Sequence, residues 1–290
     1  MECELEAVIK KSIDKIKTQY AGIGFSVLLI QICFLSVFIS ISDAIGVVQA
    51  QEIEWQESKS EHFIIYYTDD EGFAKKVSRQ SEIYYRNIAS ELGYQRYSEF
   101  WTWNKRVKIY IYPDRESFLK KTNQPEWSEG VANYTKKEIS SYALSEDFLD
   151  ALLPHEMTHL IFRDYVGFTG EIPLWLDEGV AQWMEPRKRE LVKSVIARFV
   201  DQGKLIPLRR MMTEDIRNNQ DSAYVGSYYV HAVSMVSFLI TKYSAARFTN
   251  FCRELRDGKS VEESLKFVYP TSIRSIEELE EKWKKYIEEE

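Results

Sequence analysis

The segment His-Glu-Met-Thr-His at residues 155–159 constrains the fold of this chain more than any other feature. Four residues of α-helix turn about 400°, so the two histidines project from one face, about one turn apart. Both imidazoles can then reach a single metal ion, and Glu156 lies beside them, where it can act on a water molecule instead of the metal. Met157 and Leu160 fall on other faces of this helix and are predicted to lie in the core.

A second segment supplies a candidate third ligand. Residues 173–183 read Pro-Leu-Trp-Leu-Asp-Glu-Gly-Val-Ala-Gln-Trp, and Glu178 follows His159 by 19 residues. This spacing lets the chain leave the first helix, turn through Gly167 and Gly170, and begin a second helix near Pro173. Two histidines and one carboxylate leave a fourth coordination position for water, which is typical of a catalytic zinc site. We therefore expect His155, His159 and Glu178 to bind Zn²⁺.

The neighbours of Glu178 have alternative roles. Asp177 is the competing carboxylate, but it points about 100° away on a helix if Glu178 faces the metal, so we expect it to support the site. Gly179 is expected to let the two metal-binding helices approach closely. The alternative interpretation is an amphipathic helix whose Asp-Glu pair is solvated.

These two motifs together resemble those of the gluzincin metallopeptidases, the clan of thermolysin and aminopeptidase N. The wider pattern is similar to the bacterial peptidase MA-like group. That group has a Phe-rich first strand, a helix ending in Leu-Gly and a strand ending in Tyr-Pro, matched here by residues 62–67, 92–93 and 107–113. The resemblance covers about residues 55–288. It implies an α+β, zincin-like fold, in which a mixed sheet lobe is followed by a helical lobe, with the zinc cleft between them.

The resemblance also implies a tyrosine that hydrogen-bonds the developing oxyanion. The matching region is Tyr-Val-Gly-Ser-Tyr-Tyr-Val-His at residues 224–231. Tyr229 fits best by its distance from Leu239, with Tyr228 and Tyr224 as alternatives, or all three only pack in the core. His231 is a candidate supporting residue that would face the cleft as a proton donor.

The predicted function is a zinc-dependent metallopeptidase that hydrolyses the peptide bonds of a peptide or protein substrate with a water activated by zinc. The Gly-x-Met-x-Asn motif that binds a free amino terminus in aminopeptidases is absent, and Glu-Gly-Val-Ala-Asn at residues 129–133 is only weakly similar to it. An endopeptidase is therefore favoured over an aminopeptidase. Two alternatives stay open, a catalytically inactive zincin-fold binding module and a zinc hydrolase of a non-peptide amide.

The predicted elements place the metal motifs after a sheet. Alternating apolar residues predict strands, and 3.6-residue spacing predicts helices. The order is a strand at 62–68, a helix at 70–92, a strand at 107–112, a short helix capped by Asp114, a strand pair at 130–134 and 138–142, and helices from about 145. The peptidase domain is predicted at 61–290, with a sheet lobe at 61–145 and a helical lobe at 146–290. We expect an extended substrate to pair with an exposed edge strand at Glu138–Tyr142.

The amino-terminal region has a different character. Residues 18–42 form an uncharged run of 25, and four lysines lie in residues 10–17. We predict a cytoplasmic segment at 1–20, a transmembrane anchor or signal-peptide core at 21–42, and a linker at 43–60. The remainder would then be exported, either tethered to the membrane or released by cleavage after Ala50.

Composition excludes other classes of function. The net charge is −7 and no basic tract is visible, so nucleic-acid binding is not expected. The chain has three cysteines, of which only Cys252 lies in the predicted exported part. An intramolecular disulfide cannot form there, and stability must come from packing or from a metal.

Overall fold

A computed structural model describes residues 53–93, 101–102, 105–126, 128–143, 147–169, 171–217 and 219–289. Residues 54–290 form one compact unit. The predicted cytoplasmic segment at 1–20 and the predicted membrane segment at 21–42 lie outside the described residues.

A five-stranded mixed sheet forms the first part of this unit. Its strands are β1 (Gln56–Lys59), β2 (Phe63–Tyr67), β3 (Val107–Tyr112), β4 (Gly130–Asn133) and β5 (Glu138–Tyr142). Their spatial order is β1-β2-β3-β5-β4; β2–β3 and β3–β5 are parallel, and the two outer pairs are antiparallel. In β2 and β3 alternate residues are buried, as the apolar alternation predicts.

Two predictions about the sheet are wrong. Gln56–Lys59 was predicted within the linker but pairs with β2 as the outermost strand. It is polar because it is largely exposed, so it lacks the apolar alternation that marks a half-buried strand. Glu138–Tyr142 was predicted as the exposed edge but lies between β3 and β4, with Ile139 fully buried. The outer strand on this side is Gly130–Asn133.

Two helices accompany the sheet, and an aspartate caps each of them. The first, α1 (Glu71–Glu91), begins after Asp70, whose side chain accepts a hydrogen bond from the amide of Phe73. It ends before Gly93, whose φ of +77° favours glycine. The second, α2 (Arg115–Thr122), is capped by Asp114 in the same way. The buried face of α1 packs against β1 and β2.

The second part of the unit is helical. A π-helical turn (Phe148–Leu152) leads directly into α3 (Leu153–Val166). The later helices are α4 (Leu174–Trp183), α5 (Pro186–Asp201), α6 (Leu208–Met211), α7 (Ser222–Tyr243), α8 (Ala245–Arg256), α9 (Val261–Val268) and α10 (Ile276–Glu288). This confirms the predicted order of a sheet followed by helices.

The long helix α7 forms the centre of the helical part. Among the described residues it is the one helix long and apolar enough to cross a membrane, yet 56% of its most apolar window is buried in the protein. It packs against α4, α5 and α8, as a core helix does. A Cβ at Gly179 would lie 2.8 Å from both the Ala232 carbonyl oxygen and Val236 Cγ2. Gly179 therefore allows α4 to pack closely against α7. It was instead expected to bring α4 close to α3.

Candidate metal centre

Helix α3 presents both histidines of the first motif to one point. Pro154 stands in its first turn, and Gly167 ends it with a φ of +82°. The Nε2 atoms of His155 and His159 lie 3.2 Å apart. Two ligands about 2.0–2.1 Å from one tetrahedral zinc ion are about 3.3–3.4 Å apart, so this separation fits a shared metal ion. Met157 and Leu160 are buried on the other faces, as predicted.

Helix α4 brings Glu178 to the same point. The Glu178 carboxylate lies 3.7 Å from His155 Nε2 and 4.0 Å from His159 Nε2. One ligand atom from each of the three residues lies within 4.8 Å of the others. The side chains of His155 and Glu178 remain 18% and 21% exposed, so one side of the cluster reaches solvent. The donor set of two imidazoles and one carboxylate therefore fits a divalent metal ion of the zinc class.

A carboxylate holds the far side of each imidazole. His159 Nδ1 lies 2.9 Å from Asp177 Oδ1, and His155 Nδ1 lies 2.9 Å from Glu185 Oε1. Lys188 donates to the same Glu185 oxygen at 2.8 Å. If each Nδ1–H donates to its carboxylate, each Nε2 is left as a bare lone pair directed at the shared point. Metal-binding histidines are commonly oriented in this way.

Glu185 is a residue that the sequence reasoning missed. It is 4% exposed and lies beyond the last residue of α4. Its position seven residues after Glu178 was a usable signal, because seven helical residues return to nearly the same face. Asp177 was predicted as a supporting carboxylate, and the structure places it behind His159 instead of among the three converging ligand atoms.

The electrostatics of the cluster favour positive charge. Burial by itself lowers the pKa of His159, but the charge of Asp177, its hydrogen bond, and the charges of Glu178 and Glu156 outweigh burial and raise that pKa well above its ordinary value. Several carboxylates thus surround an imidazole pair of which His159 is buried. A divalent cation at this point would compensate their charge.

Glu156 lines a cavity beside the cluster. This cavity has a volume of about 410 Å³, and its walls come from residues 128–130 at the start of β4, from the π-helical turn, and from His155 and Glu185. Glu156 does not supply any of the three converging ligand atoms. It is therefore placed to contact a molecule in the cavity.

The three candidate tyrosines have different surroundings. Burial, followed by the charge of Glu178, raises the pKa of Tyr229 to about 12, so this phenol lies within electrostatic range of the cluster. The Tyr228 hydroxyl donates to the Met211 carbonyl at 3.2 Å, and the Tyr224 hydroxyl donates to Glu214 at 2.5 Å. Of the three, Tyr229 is the one left with a hydroxyl that no described residue engages in a hydrogen bond.

His231 is not brought to the cluster. It is fully buried, and burial lowers its pKa. Its Nε2 accepts a hydrogen bond from the Ile206 amide at 3.0 Å, and its Nδ1 donates to the Ser227 carbonyl at 2.6 Å. Both ring nitrogens are therefore used within the core, which corrects the predicted role as a proton donor.

Tyr134 approaches the cluster from the sheet and was not predicted. Its ring lies edge-on to that of His159, with 6.2 Å between centroids, and the Arg163 guanidinium lies 4.7 Å from the Tyr134 centroid. Burial raises the pKa of Tyr134, and the charges of Asp177, Glu156 and Glu178 raise it further. No spacing motif marks this residue, because its position depends on how the β4–β5 hairpin lies against α3.

The hairpin itself is anchored on α3. Lys137 in its turn pairs with Asp164 at 2.5 Å, and the Trp101 indole donates to the same carboxylate oxygen at 2.7 Å. At the start of β4, a Cβ on Gly130 would lie 2.3 Å from Leu152 Cδ2, so glycine permits this close contact. The outer strand is thereby fixed beside α3, which carries His155 and His159.

A mixed sheet followed by helices, with a His-Glu-x-x-His helix and a carboxylate from the next helix, defines a zincin-like protein. The sequence model of the peptidase MA superfamily matches residues 101–289, well over half of the chain. The chain therefore belongs to the peptidase MA superfamily. This membership supports the interpretation of the protein as a zincin-like peptidase. None of the curated proteins compared with the chain matches it.

Proposed function

We propose that this protein is a zinc-dependent metallopeptidase of the gluzincin type, related to the bacterial peptidase MA-like group. The observation that carries the proposal is the convergence of His155, His159 and Glu178, with both imidazoles oriented by carboxylates. In gluzincins the third ligand is a glutamate on the helix that follows the His-Glu-x-x-His helix, and Glu178 has this position here.

His155, His159 and Glu178 would hold the ion. When bound, Zn²⁺ would supply Lewis acidity that polarises the scissile carbonyl and lowers the pKa of the attacking water. The carboxylates of Asp177 and Glu185 would keep the two imidazoles in the orientation that binds it.

Glu156 would serve as the general base. It lines the cavity beside His155, so its carboxylate can take a proton from the attacking water and later pass it to the leaving amine. Tyr229 and Tyr134 lie on the α7 side and on the hairpin side of the cluster, and each is a candidate to donate a hydrogen bond to the developing oxyanion.

The substrate would lie extended along β4. The backbone of Gly130–Asn133 is paired on one side with β5, and no strand of the described part of the chain pairs with its other side, where a peptide would add. Residues 128–130 also line the cavity next to Glu156, so a peptide on this strand passes the candidate base. The lack of an amino-terminus-binding motif on this strand favours internal cleavage, as in an endopeptidase.

We further propose that the catalytic domain acts outside the cytoplasm. The uncharged run and the lysines before it support this proposal. The protein would be anchored in the membrane by residues 21–42, or released after Ala50. Amino-terminal sequencing of the exported protein separates these two forms, and a reporter fused after Glu290 that is active only in the cytoplasm would contradict export.

The deciding experiment measures zinc content and peptide cleavage on the same samples of purified protein. We expect about one zinc per chain at this site, cleavage of an unbiased peptide library, loss of cleavage with a chelator, and recovery on adding zinc. Protein that takes up no zinc would overturn the proposal. Protein that holds zinc but cleaves no peptide would point to a binding module or to a non-peptide amide as substrate.

A further inference from the structure

A second histidine–carboxylate cluster lies where β2 meets α1. The Glu82 carboxylate accepts two hydrogen bonds from His62, one from its backbone amide at 2.9 Å and one from Nδ1 at 2.7 Å. Although burial by itself raises the pKa of the Glu82 carboxyl, these hydrogen bonds lower it below its ordinary value. Each Glu82 oxygen thus accepts one hydrogen bond from His62.

The other ring nitrogen of His62, Nε2, has no hydrogen-bond partner among the described residues. His62 is 5% exposed, and this nitrogen is buried. The Glu61 carboxylate lies 3.9 Å from this nitrogen, which is too far for a hydrogen bond. If the Nδ1 proton is donated to Glu82, the Nε2 lone pair lies 3.9 Å from the Glu61 carboxylate, and no hydrogen-bond donor among the described residues reaches it.

The same arrangement occurs at the candidate metal centre. In His155 and His159, Nδ1 lies 2.9 Å from a carboxylate, and Nε2 lies 3.7 Å and 4.0 Å from Glu178. The corresponding distances at His62 are 2.7 Å and 3.9 Å. All three imidazoles are thus held from behind by one carboxylate while Nε2 faces another.

We propose that Glu61, His62 and Glu82 form a second divalent-cation site. The ligands are His62 Nε2 and the Glu61 carboxylate, and Glu82 orients the imidazole. An imidazole with a carboxylate suits Zn²⁺ and related transition-metal ions better than Mg²⁺ or Ca²⁺, which prefer oxygen ligands alone. One ligand atom from each of the three residues lies within 4.8 Å of the others.

This site differs from the first in what it can do. It offers two protein ligands instead of three, so it binds more weakly. Its outer ligand, Glu61, has a side chain that is 68% exposed, which lets the ion exchange with solvent. His62 precedes β2 and Glu82 lies on α1, so a bound ion strengthens the junction between strand and helix and serves stability rather than catalysis.

The test titrates the whole protein with Zn²⁺ and follows stoichiometry and thermal unfolding. We expect a second equivalent that binds more weakly than the first and raises the unfolding temperature. Glu61→Gln should weaken the second equivalent at least about tenfold, and Glu82→Gln by about 10–100-fold. Glu61 is exposed, so its variant should fold normally.

Glu57→Gln is the matched control, since Glu57 is an exposed carboxylate on neighbouring β1 that does not belong to the cluster. It should leave both equivalents unchanged. The absence of a second equivalent up to millimolar zinc, or a second equivalent that Glu61→Gln does not weaken, would overturn the proposal. Peptide cleavage reports separately on the first site, so either proposal can fail while the other stands.

Discussion

The helical side and the strand side of the candidate metal centre are built in different ways. On the helical side, the three converging ligands come from two short motifs on α3 and α4. On the strand side, Tyr134 and Gly130 reach the centre because the β4–β5 hairpin packs on α3. The chemistry that needs fixed spacing is encoded locally, whereas the surface that would hold a substrate depends on the order of the strands.

The helical side should therefore tolerate no loss of a ligand. His155→Ala or Glu178→Ala should abolish both zinc binding and cleavage, because two remaining ligands do not make a catalytic zinc site. Asp177→Ala should have a much smaller effect, since it leaves all three ligands in place. Elemental analysis and peptide cleavage on each variant check this. If Asp177→Ala lost more zinc and more cleavage than Glu178→Ala, Asp177 would be the ligand.

Glu156 tests whether the helical side also supplies the base. Glu156→Gln keeps the shape of the side chain but cannot accept a proton, so turnover should fall about 100- to 10,000-fold while zinc content stays unchanged. The measurement is kcat and bound zinc on the same preparation. Cleavage at the wild-type rate would remove Glu156 from the mechanism.

The two tyrosines test whether the strand side takes part in the chemistry. If Tyr134 donates to the oxyanion, Tyr134→Phe should lower kcat by about 100-fold with zinc and KM nearly unchanged, and Tyr229→Phe should have little effect. If Tyr229→Phe lowered kcat and Tyr134→Phe did not, all catalytic side chains would lie on the helices. Equal, small effects in both variants would show that neither hydroxyl contacts the transition state.

The carboxylates behind the histidines give the smallest expected effects. Asp177→Asn and Glu185→Gln should each weaken zinc affinity by about 10–100-fold, because the imidazoles lose their orienting partners. Competition with a chelator of known affinity measures this. Glu190→Gln, an exposed carboxylate on α5, is the control and should behave as wild type. Unchanged affinity in both test variants would show that packing alone orients the rings.

Much of the fold is readable from the sequence. The strands Phe63–Tyr67 and Val107–Tyr112 show apolar alternation, and Asp114 caps its helix as predicted. The strand Gln56–Lys59 was missed because an exposed edge strand buries too little to need an apolar pattern. Strand order was also missed, because it is fixed by tertiary packing and not by local propensity.

The candidate site shows the same division. The spacing of His155, His159 and Glu178 predicted that they lie together, and they do. Glu185 was missed although its spacing of seven residues from Glu178 was a usable signal, whereas Tyr134 reaches the centre through hairpin packing, for which no spacing rule exists. His231 was misplaced because a histidine pattern does not reveal hydrogen bonds to backbone groups of the core.

The two outer strands of the sheet also bear on self-association. An open sheet edge is a template on which a second copy of the same chain can add, and long, flat edges lead to aggregation. Here both outer strands, Gln56–Lys59 and Gly130–Asn133, are only four residues long. The first carries the charged Glu57 and Lys59, and Lys136 and Lys137 follow the second. Short, charged borders discourage polymerisation, and they would still allow the proposed pairing of one extended peptide with Gly130–Asn133.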